Sequence, residues 1–301
     1  SDHASDVTKT LERACRNAGV QICLETCVTG LKVFDGAVCG VLTDEGERPC
    51  DAVIIATGGL SYPSTGSTGD GYRFALAAGH TVVPTVPSLV GIELAENVSA
   101  AQGISVKNAV LSAKCKGKHI FSQMGELLFT HYGISGPLVL SLSALINRLD
   151  LSDVRLALDF KPALDEKAME DRLLRDFSAR KNEQMKNVMR GFLPAGLTQV
   201  VLRAAKVSAE KQANAVTREE RRRLLFALKG LSLTPTALRG YAEAVITSGG
   251  VDTKEINPAT MESRRVKGLY FCGEVLDCDA FTGGFNLQIA FSTGYVAGIN
   301  A

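Results

Sequence analysis

The residues best suited to chemistry lie in "GLYFCGEVLDCDAFTGGFNLQIAFSTGYVAG", Gly268 to Gly298. A short apolar run, Leu269-Tyr270-Phe271-Cys272, ends in Gly273-Glu274. It reads as a buried strand with a carboxylate at its carboxyl end, where open α/β sheets bind ligands. A carboxylate there accepts hydrogen bonds from sugar or ribityl hydroxyls, as acidic residues do in dinucleotide sites. Thr282-Gly283-Gly284 then opens a helix whose first free amides are expected at Phe285, Asn286, Leu287 and Gln288. Such a terminus stabilises negative charge, whether on phosphate or on a reduced flavin ring. The bland alternative is a buried C-terminal helix with Glu274 as a solvated turn residue. Ala290, Gly294 and Ala297/Gly298 give that helix a smooth face, with Leu287 and Phe291 on another, so burial is expected.

A second strand exit is "CDAVIIATGG". Val53-Ile54-Ile55-Ala56 reads as a fully buried strand of the parallel type, ending in Thr57-Gly58-Gly59. Glycines at a strand end let backbone approach a cofactor closely, though the same residues serve equally as a simple turn. "TGDGYRFALAAGH" follows as a helix, with Asp70 near its start and Gly79 at its stop. No G-x-G-x-x-G and no P-loop lysine occurs, and "GSTGDG" has its glycines at the wrong offsets. The chain thus carries the far half of a dinucleotide site without the near half.

The 301 residues suffice for one large or two moderate domains. A net charge of +1 gives no overall attraction for nucleic acid or anionic membrane. No apolar run approaches the ~18 residues of a membrane span. Eight cysteines (15, 23, 27, 39, 50, 115, 272, 278) show no C-x-x-C and no zinc spacing, and read as buried small hydrophobes of a reducing cytoplasm. Neither metal nor disulfide is expected.

"SDHASDVTKTLERACRNAGV" opens as a helix with Val7, Leu11, Cys15 and Ala18 on one face, Ser5 as N-cap and Gly19 as stop. "VQICLETCV" and "GLKVFDGAVCGVLTDEG" read as paired strands, with Asp35-Gly36 as a tight turn. From about Pro84 the texture becomes short strands with glycine turns, an antiparallel unit. Asp165 to Lys229 is mostly helical, with a Met169/Leu173/Phe177 stripe and a capping box from Thr217 to Glu220. "YAEAVITSGGV" and "GLYFCGE" return to the parallel-strand texture of the first part. The simplest arrangement is a discontinuous α/β domain (1–83 and 241–301) with an inserted β-plus-helix domain (84–240).

Three segments, "DAVIIATGGLSYPSTGSTGDGY", "GELLFTHYGISGP" and the stretch from Ala244 to Gly298, together resemble bacterial NAD(P)/FAD-dependent oxidoreductases of the BaiN/RdsA type. They do so in the same order over essentially the whole chain. The resemblance implies a partial Rossmann-type FAD domain interrupted by an inserted antiparallel β-barrel plus helical domain. It implies FAD contacts from Ala56, Thr57, Gly58, Gly59, Gly273, Glu274, Gly283, Gly284, Phe285, Asn286, Leu287 and Gln288. It also implies that the chain is like a member lacking its N-terminal glycine fingerprint, with FAD weakly bound or absent and the chain inactive.

The expected activity of the intact protein is FAD-mediated hydride transfer between NAD(P)H, a transient reductant, and an unsaturated or carbonyl-bearing small molecule. Weak candidates for a proton donor are His131, in "LLFTHYGISGP", and Tyr62. Asp277 and Asp279 read as turn-stabilising carboxylates, Cys278 lacks a spaced redox partner, and "TREERRR" reads as a solvated helix face. Two other readings stay open: a catalytically silent scaffold, and an RNA-modifying flavoprotein using the Arg-rich helix.

Overall fold

The computed structural model describes residues 3–301. Helix α1 (Ala4–Asn17) carries the expected stripe and stops at Gly19, but its N-cap is His3 and none of its residues is buried. Val7 and Leu11 are exposed. The strand expected from Val20 begins only at Val28, because residues 20–27 are irregular and Glu25 holds a left-handed φ of 55°. Strands β1 (Val28–Phe34), β2 (Ala37–Thr43) and β3 (Gly46–Pro49) form an antiparallel meander, turning at Asp35-Gly36 as read from the sequence.

Strand β4 (Val53–Ile55), helix α2 (Asp70–Ala77) and strand β5 (Val82–Ser88) follow. The middle of the chain contributes β6 (Ile92–Leu94), β7 (Ser105–Cys115), β8 (Lys118–Phe129), β9 (Gly133–Ser135), α3 (Pro137–Ile146) and β10 (Val154–Asp159). Four helices come next: α4 (Glu166–Ala179), α5 (Met185–Val188), α6 (Ala195–Ala204) and α7 (Arg218–Lys229). The chain closes with β11 (Leu231–Leu233), β12 (Pro235–Leu238), β13 (Ile246–Val251), β14 (Leu269–Phe271) and α8 (Phe285–Asn300).

The fold is mixed α/β. Seven strands form an antiparallel sheet in the order β11-β10-β7-β8-β9-β6-β12. Its edge strands are consecutive in the chain with only Thr234 between them, so the sheet curls until its edges approach. Among the described residues no ladder joins those edges, so the barrel expected from the resemblance is not closed. The Met169/Leu173/Phe177 stripe is buried, and Thr217 and Glu220 form the reciprocal capping box.

Two apolar cores result. One is built wholly from residues between Ile92 and Leu233. The other takes residues from Val38 to Ala75 and again from Val251 to Ala297. The strands leading into and out of the middle, β5 and β13, pair with each other antiparallel, so the parallel character that the texture of β13 suggested is confined to one isolated bridge, Val251 to Leu276.

Strands β4 and β14 do pair in parallel, with Phe271 opposite Ile55. Yet β4 is only partly buried, with Ile54 at 38% exposure, because among the described residues β14 is its single sheet neighbour. Helix α8 departs furthest from expectation. Only Ala297 is buried, while Leu287, Phe291, Tyr295 and Ile299, four residues apart along one face, are exposed. The small-residue face turns inward and the large apolar one outward. Cysteine burial differs too: Cys272 is buried, but Cys15, Cys23, Cys27 and Cys278 are exposed.

Candidate functional site

Parallel pairing of β4 with β14 puts both carboxyl ends on one edge of the sheet. Ala56–Gly59 and Cys272–Glu274 therefore leave it side by side, tied by the Cys272 N–H to the Ile55 carbonyl at 3.1 Å. The Gly273 N–H donates to Thr293 Oγ1 at 2.9 Å, which fastens the strand exit to α8. Two of the segments read as cofactor-facing thus leave the sheet together, and the body of α8 is fastened to them at Thr293.

Their junction is a residue the sequence did not single out, Thr247 on β13. Its backbone N–H donates to Glu274 Oε1 at 2.7 Å. Its Oγ1 accepts the N–H groups of Leu60 (2.8 Å) and Ser61 (3.2 Å) and pairs with Ser61 Oγ at 2.9 Å. Gly59 is packed against this junction: a Cβ there would stand 2.4 Å from Thr247 Oγ1 and 2.8 Å from Glu274 Oε1. Only glycine fits, for reasons of space. The sole advance signal for Thr247 was its place before the Gly249-Gly250 pair.

Glu274 therefore spends one carboxylate oxygen within the protein, while Oε2 has no partner among the described residues. Nearby, the Tyr72 hydroxyl is buried without a hydrogen-bond partner among the described residues. Burial raises its pKa well above that of a free phenol, and the charge of Glu274 adds to the effect.

Gly284 supplies the left-handed N-cap of α8, with φ 86° and no side-chain cap. The N–H groups of Phe285, Asn286 and Leu287 have no partner among the described residues. That of Gln288 donates to the Gly284 carbonyl at 3.0 Å, so the free set is three amides rather than four. The Asn286 side chain is structural: it bonds the N–H and the carbonyl of Ala280, both at 2.8 Å, and clamps the turn before the helix. Gly283, Gly284, Phe285 and Leu287 are exposed, as are Ala56 and Thr57.

A cavity of about 640 Å³ opens beside this helix start. Phe281 and Phe285 line it on one side, Leu145 of the last turn of α3 and Asn147 and Arg148 beyond it on another, with Ser248 of β13. Arg148 donates one bond, to the Pro84 carbonyl at 2.9 Å. Asp279 accepts from Ser88 Oγ (3.3 Å), and Asp277 accepts a backbone bond from Gly249 while burial raises its pKa. These bonds tie residues 277–279 to β5 and β13, whereas the sequence suggested carboxylates that hold their own turn. Partial desolvation, with the charges of Asp279 and Asp277, raises the Cys278 thiol although the residue is exposed, which works against thiolate chemistry.

Tyr62 is exposed, in a left-handed conformation, and its N–H donates to the Tyr241 carbonyl at 3.0 Å. His131 is exposed, packs edge-on against Tyr132 and lies within electrostatic reach of Glu243, two residues beyond Tyr241. The two weak proton-donor candidates thus border one turn, outside the junction itself. The "TREERRR" face is partly tied down by Arg223 to Glu219 and Arg221 to Glu170. Among the described residues no cluster of His, Cys, Asp and Glu could hold a metal, and no helix is long and apolar enough to cross a membrane.

A family model described as HI0933-like protein Rossmann domain matches residues 1–300. The 3-dehydro-bile acid delta(4,6)-reductase of Clostridium scindens is 32% identical over 99% of this chain and 73% of its own length. The ribosomal RNA dihydrouridine synthase of Haemophilus influenzae is 33% identical over 99% of this chain and 72% of its own. That of Escherichia coli is 33% identical over 82% of this chain and 59% of its own.

Proposed function

The chain belongs to the HI0933-like Rossmann family of flavoprotein oxidoreductases, and from that premise we propose that it serves FAD-dependent reduction of a carbon–carbon double bond conjugated to a carbonyl. The observation that carries this reading is the convergence of two parallel strand ends on Gly59, Thr247 and Glu274, beside a cavity lined by Ser248 and by Phe285 at the uncapped start of α8. The names of the relatives support the reaction class. A 3-dehydro-delta(4,6) steroid and a uridine base both present a double bond next to a carbonyl, and both names denote its saturation.

The residues present fit the ribityl and ring end of a flavin. Glu274 Oε2 is unengaged and accepts a ribityl or ribose hydroxyl. The three free amides at the positive end of α8 stabilise negative charge on a ring beside them. Gly59 keeps the strand exit clear, and the buried Tyr72 hydroxyl awaits an acceptor or a water. When bound, FAD supplies the hydride, with NADH or NADPH as its transient reductant.

The chain's own work is to hold, orient and exclude water. The cavity between Phe281, Phe285 and Leu145 receives the apolar body of the substrate, and the Arg148 guanidinium and Asn147 amide at its rim receive the carbonyl oxygen. Tyr62, exposed beside the strand-end glycines, gives the proton to the substrate carbon, with His131 across the 240–245 turn as the second candidate. The test is to incubate the protein with FAD, remove free cofactor, and follow flavin absorbance and NAD(P)H oxidation with a cyclic enone. On this reading retained flavin and enone-dependent oxidation are expected, in place of the weak or absent binding and inactivity that the resemblance implied. A protein that retains no flavin overturns the reading.

A further inference from the structure

The net charge of +1 conceals a division of charge between parts of the fold. Residues 165–229, the helical part, carry 15 Lys/Arg against 9 Asp/Glu, whereas the rest of the chain carries 18 against 23. Several of the helical cations are neutralised: Arg180 by Glu183, Lys211 by Glu220, Arg223 by Glu219 and Lys229 by Asp159. Two that pair with no carboxylate among the described residues, Arg190 and Arg203, line one groove, while Arg218 and Arg222 lie at another. A groove of about 380 Å³ between the α5 turn and α6 is lined by Lys186, Arg190, Thr198, Gln199, Arg203 and Glu210.

In that groove the acidic member is already spent, since Lys186 Nζ donates to both Glu210 oxygens at 2.8 and 2.9 Å. Arg190 is exposed and makes no side-chain hydrogen bond or ion pair among the described residues. Arg203 is exposed and donates only Nη1, to the Asn97 carbonyl at 3.2 Å, which steadies the guanidinium while leaving its other donors free. Gln199 stands four residues before Arg203 on the same face of α6, and Lys206 lies exposed just beyond the helix. Two guanidinium groups with free forks, a lysine and an amide along one groove form an arrangement that receives phosphate oxygens bidentately.

We propose that this groove docks the phosphate backbone of an RNA, with Arg190 and Arg203 as the principal contacts. The choice of RNA among polyanions rests on the reading above, in which a uridine base is one of the reducible substrates. The docking itself needs no flavin. Phosphate contacts fix the register of a nucleic acid while the reducible base reaches the α8 cavity. Clustering of positive charge on the helical part also steers a polyanion toward this face despite the near-neutral whole.

The test uses the full chain and a fluorescently labelled single-stranded RNA of about 20 nucleotides, followed by anisotropy between about 50 and 200 mM salt. Affinity is expected to fall linearly on logarithmic axes, and Arg190→Glu with Arg203→Glu to weaken binding by about tenfold or more and flatten the slope by about 1.4, two phosphates' worth. Lys107→Glu with Lys114→Glu on β7 makes the same change in net charge elsewhere and is expected to stay within about twofold of wild type. Arg190→Ala alone gives a smaller loss in the same direction and stands in should the double reversal fail to fold.

Equal weakening by both double variants, no salt-dependent binding by wild type, or equally tight binding to phosphatidylserine vesicles overturns the proposal. Enone reduction is unchanged in the Arg190/Arg203 variant. Loss of flavin chemistry with RNA binding intact counts against the functional reading alone.

Discussion

Glu274 and Thr247 stand 27 positions apart in the chain, and the carboxylate of the first accepts the backbone N–H of the second at 2.7 Å. The bond joins the end of β14 to β13, and Thr247 is itself 1% exposed. A carboxylate read as a ligand for sugar hydroxyls therefore has a prior duty inside the protein. Glu274→Ala leaves a buried N–H unsatisfied and is expected to cost about 1–3 kcal/mol in urea unfolding. Glu274→Gln keeps an acceptor oxygen and restores most of that stability. Flavin retention separates the two duties: Gln holds the fold and still weakens the cofactor, if Oε2 contacts it. Equal stability of the Ala and Gln variants would remove the structural duty.

Gly59 answers to the same junction. An added methyl would lie 2.4 Å from Thr247 Oγ1 and 2.7 Å from its Cβ, and neither atom can withdraw without losing bonds to Leu60 and Ser61. Gly59→Ala is expected to destabilise by about 1–3 kcal/mol, the usual cost of overpacking. Thermal unfolding checks this, and a melting temperature equal to wild type would show that the junction has slack.

His80 links stability to pH. Its ring is buried between Glu255 (Nδ1 to Oε2, 3.1 Å) and Ser263 (Nε2 to Oγ, 2.8 Å), against Phe271. Burial outweighs the nearby carboxylate and holds the imidazole below its ordinary 6.5. The unfolded chain then takes up a proton more readily than the folded one, so stability falls as pH drops below about 6.5. Glu255 adds a second descent: its bond to Arg265 lowers it to about 2, so its contribution is complete above its unfolded value of 4.5 and is lost toward pH 2. Urea midpoints at pH 7.5 and 5.5, about one unit either side of 6.5, show the first loss in wild type and a flatter response in His80→Gln.

The outer face of α8 predicts tolerance. Phe291 is 55% and Tyr295 70% exposed, so polar replacement removes little buried area. Phe291→Gln with Tyr295→Gln is expected to change stability by less than about 0.5 kcal/mol per site. Light scattering should show less self-association, since contiguous exposed apolar surface promotes contact between molecules. A loss above about 2 kcal/mol would mean that this face is packed in solution.

What could be read along the chain depends on interactions between residues a few positions apart. The Asp35-Gly36 turn, the Thr217–Glu220 capping box, the Gly79 stop of α2 and the Met169/Leu173/Phe177 stripe are of this kind. Strand ends rich in glycine and acid were legible too, because a short apolar run followed by Gly-Glu or Thr-Gly-Gly has few other uses. Charge was legible only in part, since a sum of +1 averages over parts of opposite sign.

Burial was the quantity the sequence left open. Periodicity says which residues share a face of α1 or α8, but not whether anything covers it, and here the large apolar faces of both are exposed. The pairing of β13 with β5 and the unclosed curl of the middle sheet likewise depend on which strands meet after folding. Thr247 is the sharpest case. It meets Leu60 from 187 positions away and Glu274 from 27, distances over which neither hydrophobic period nor turn chemistry carries information. The amino-acid order determined the elements and the chemistry at their ends; only tertiary packing, by bringing distant backbone groups within hydrogen-bond reach, decided which of those ends share a site.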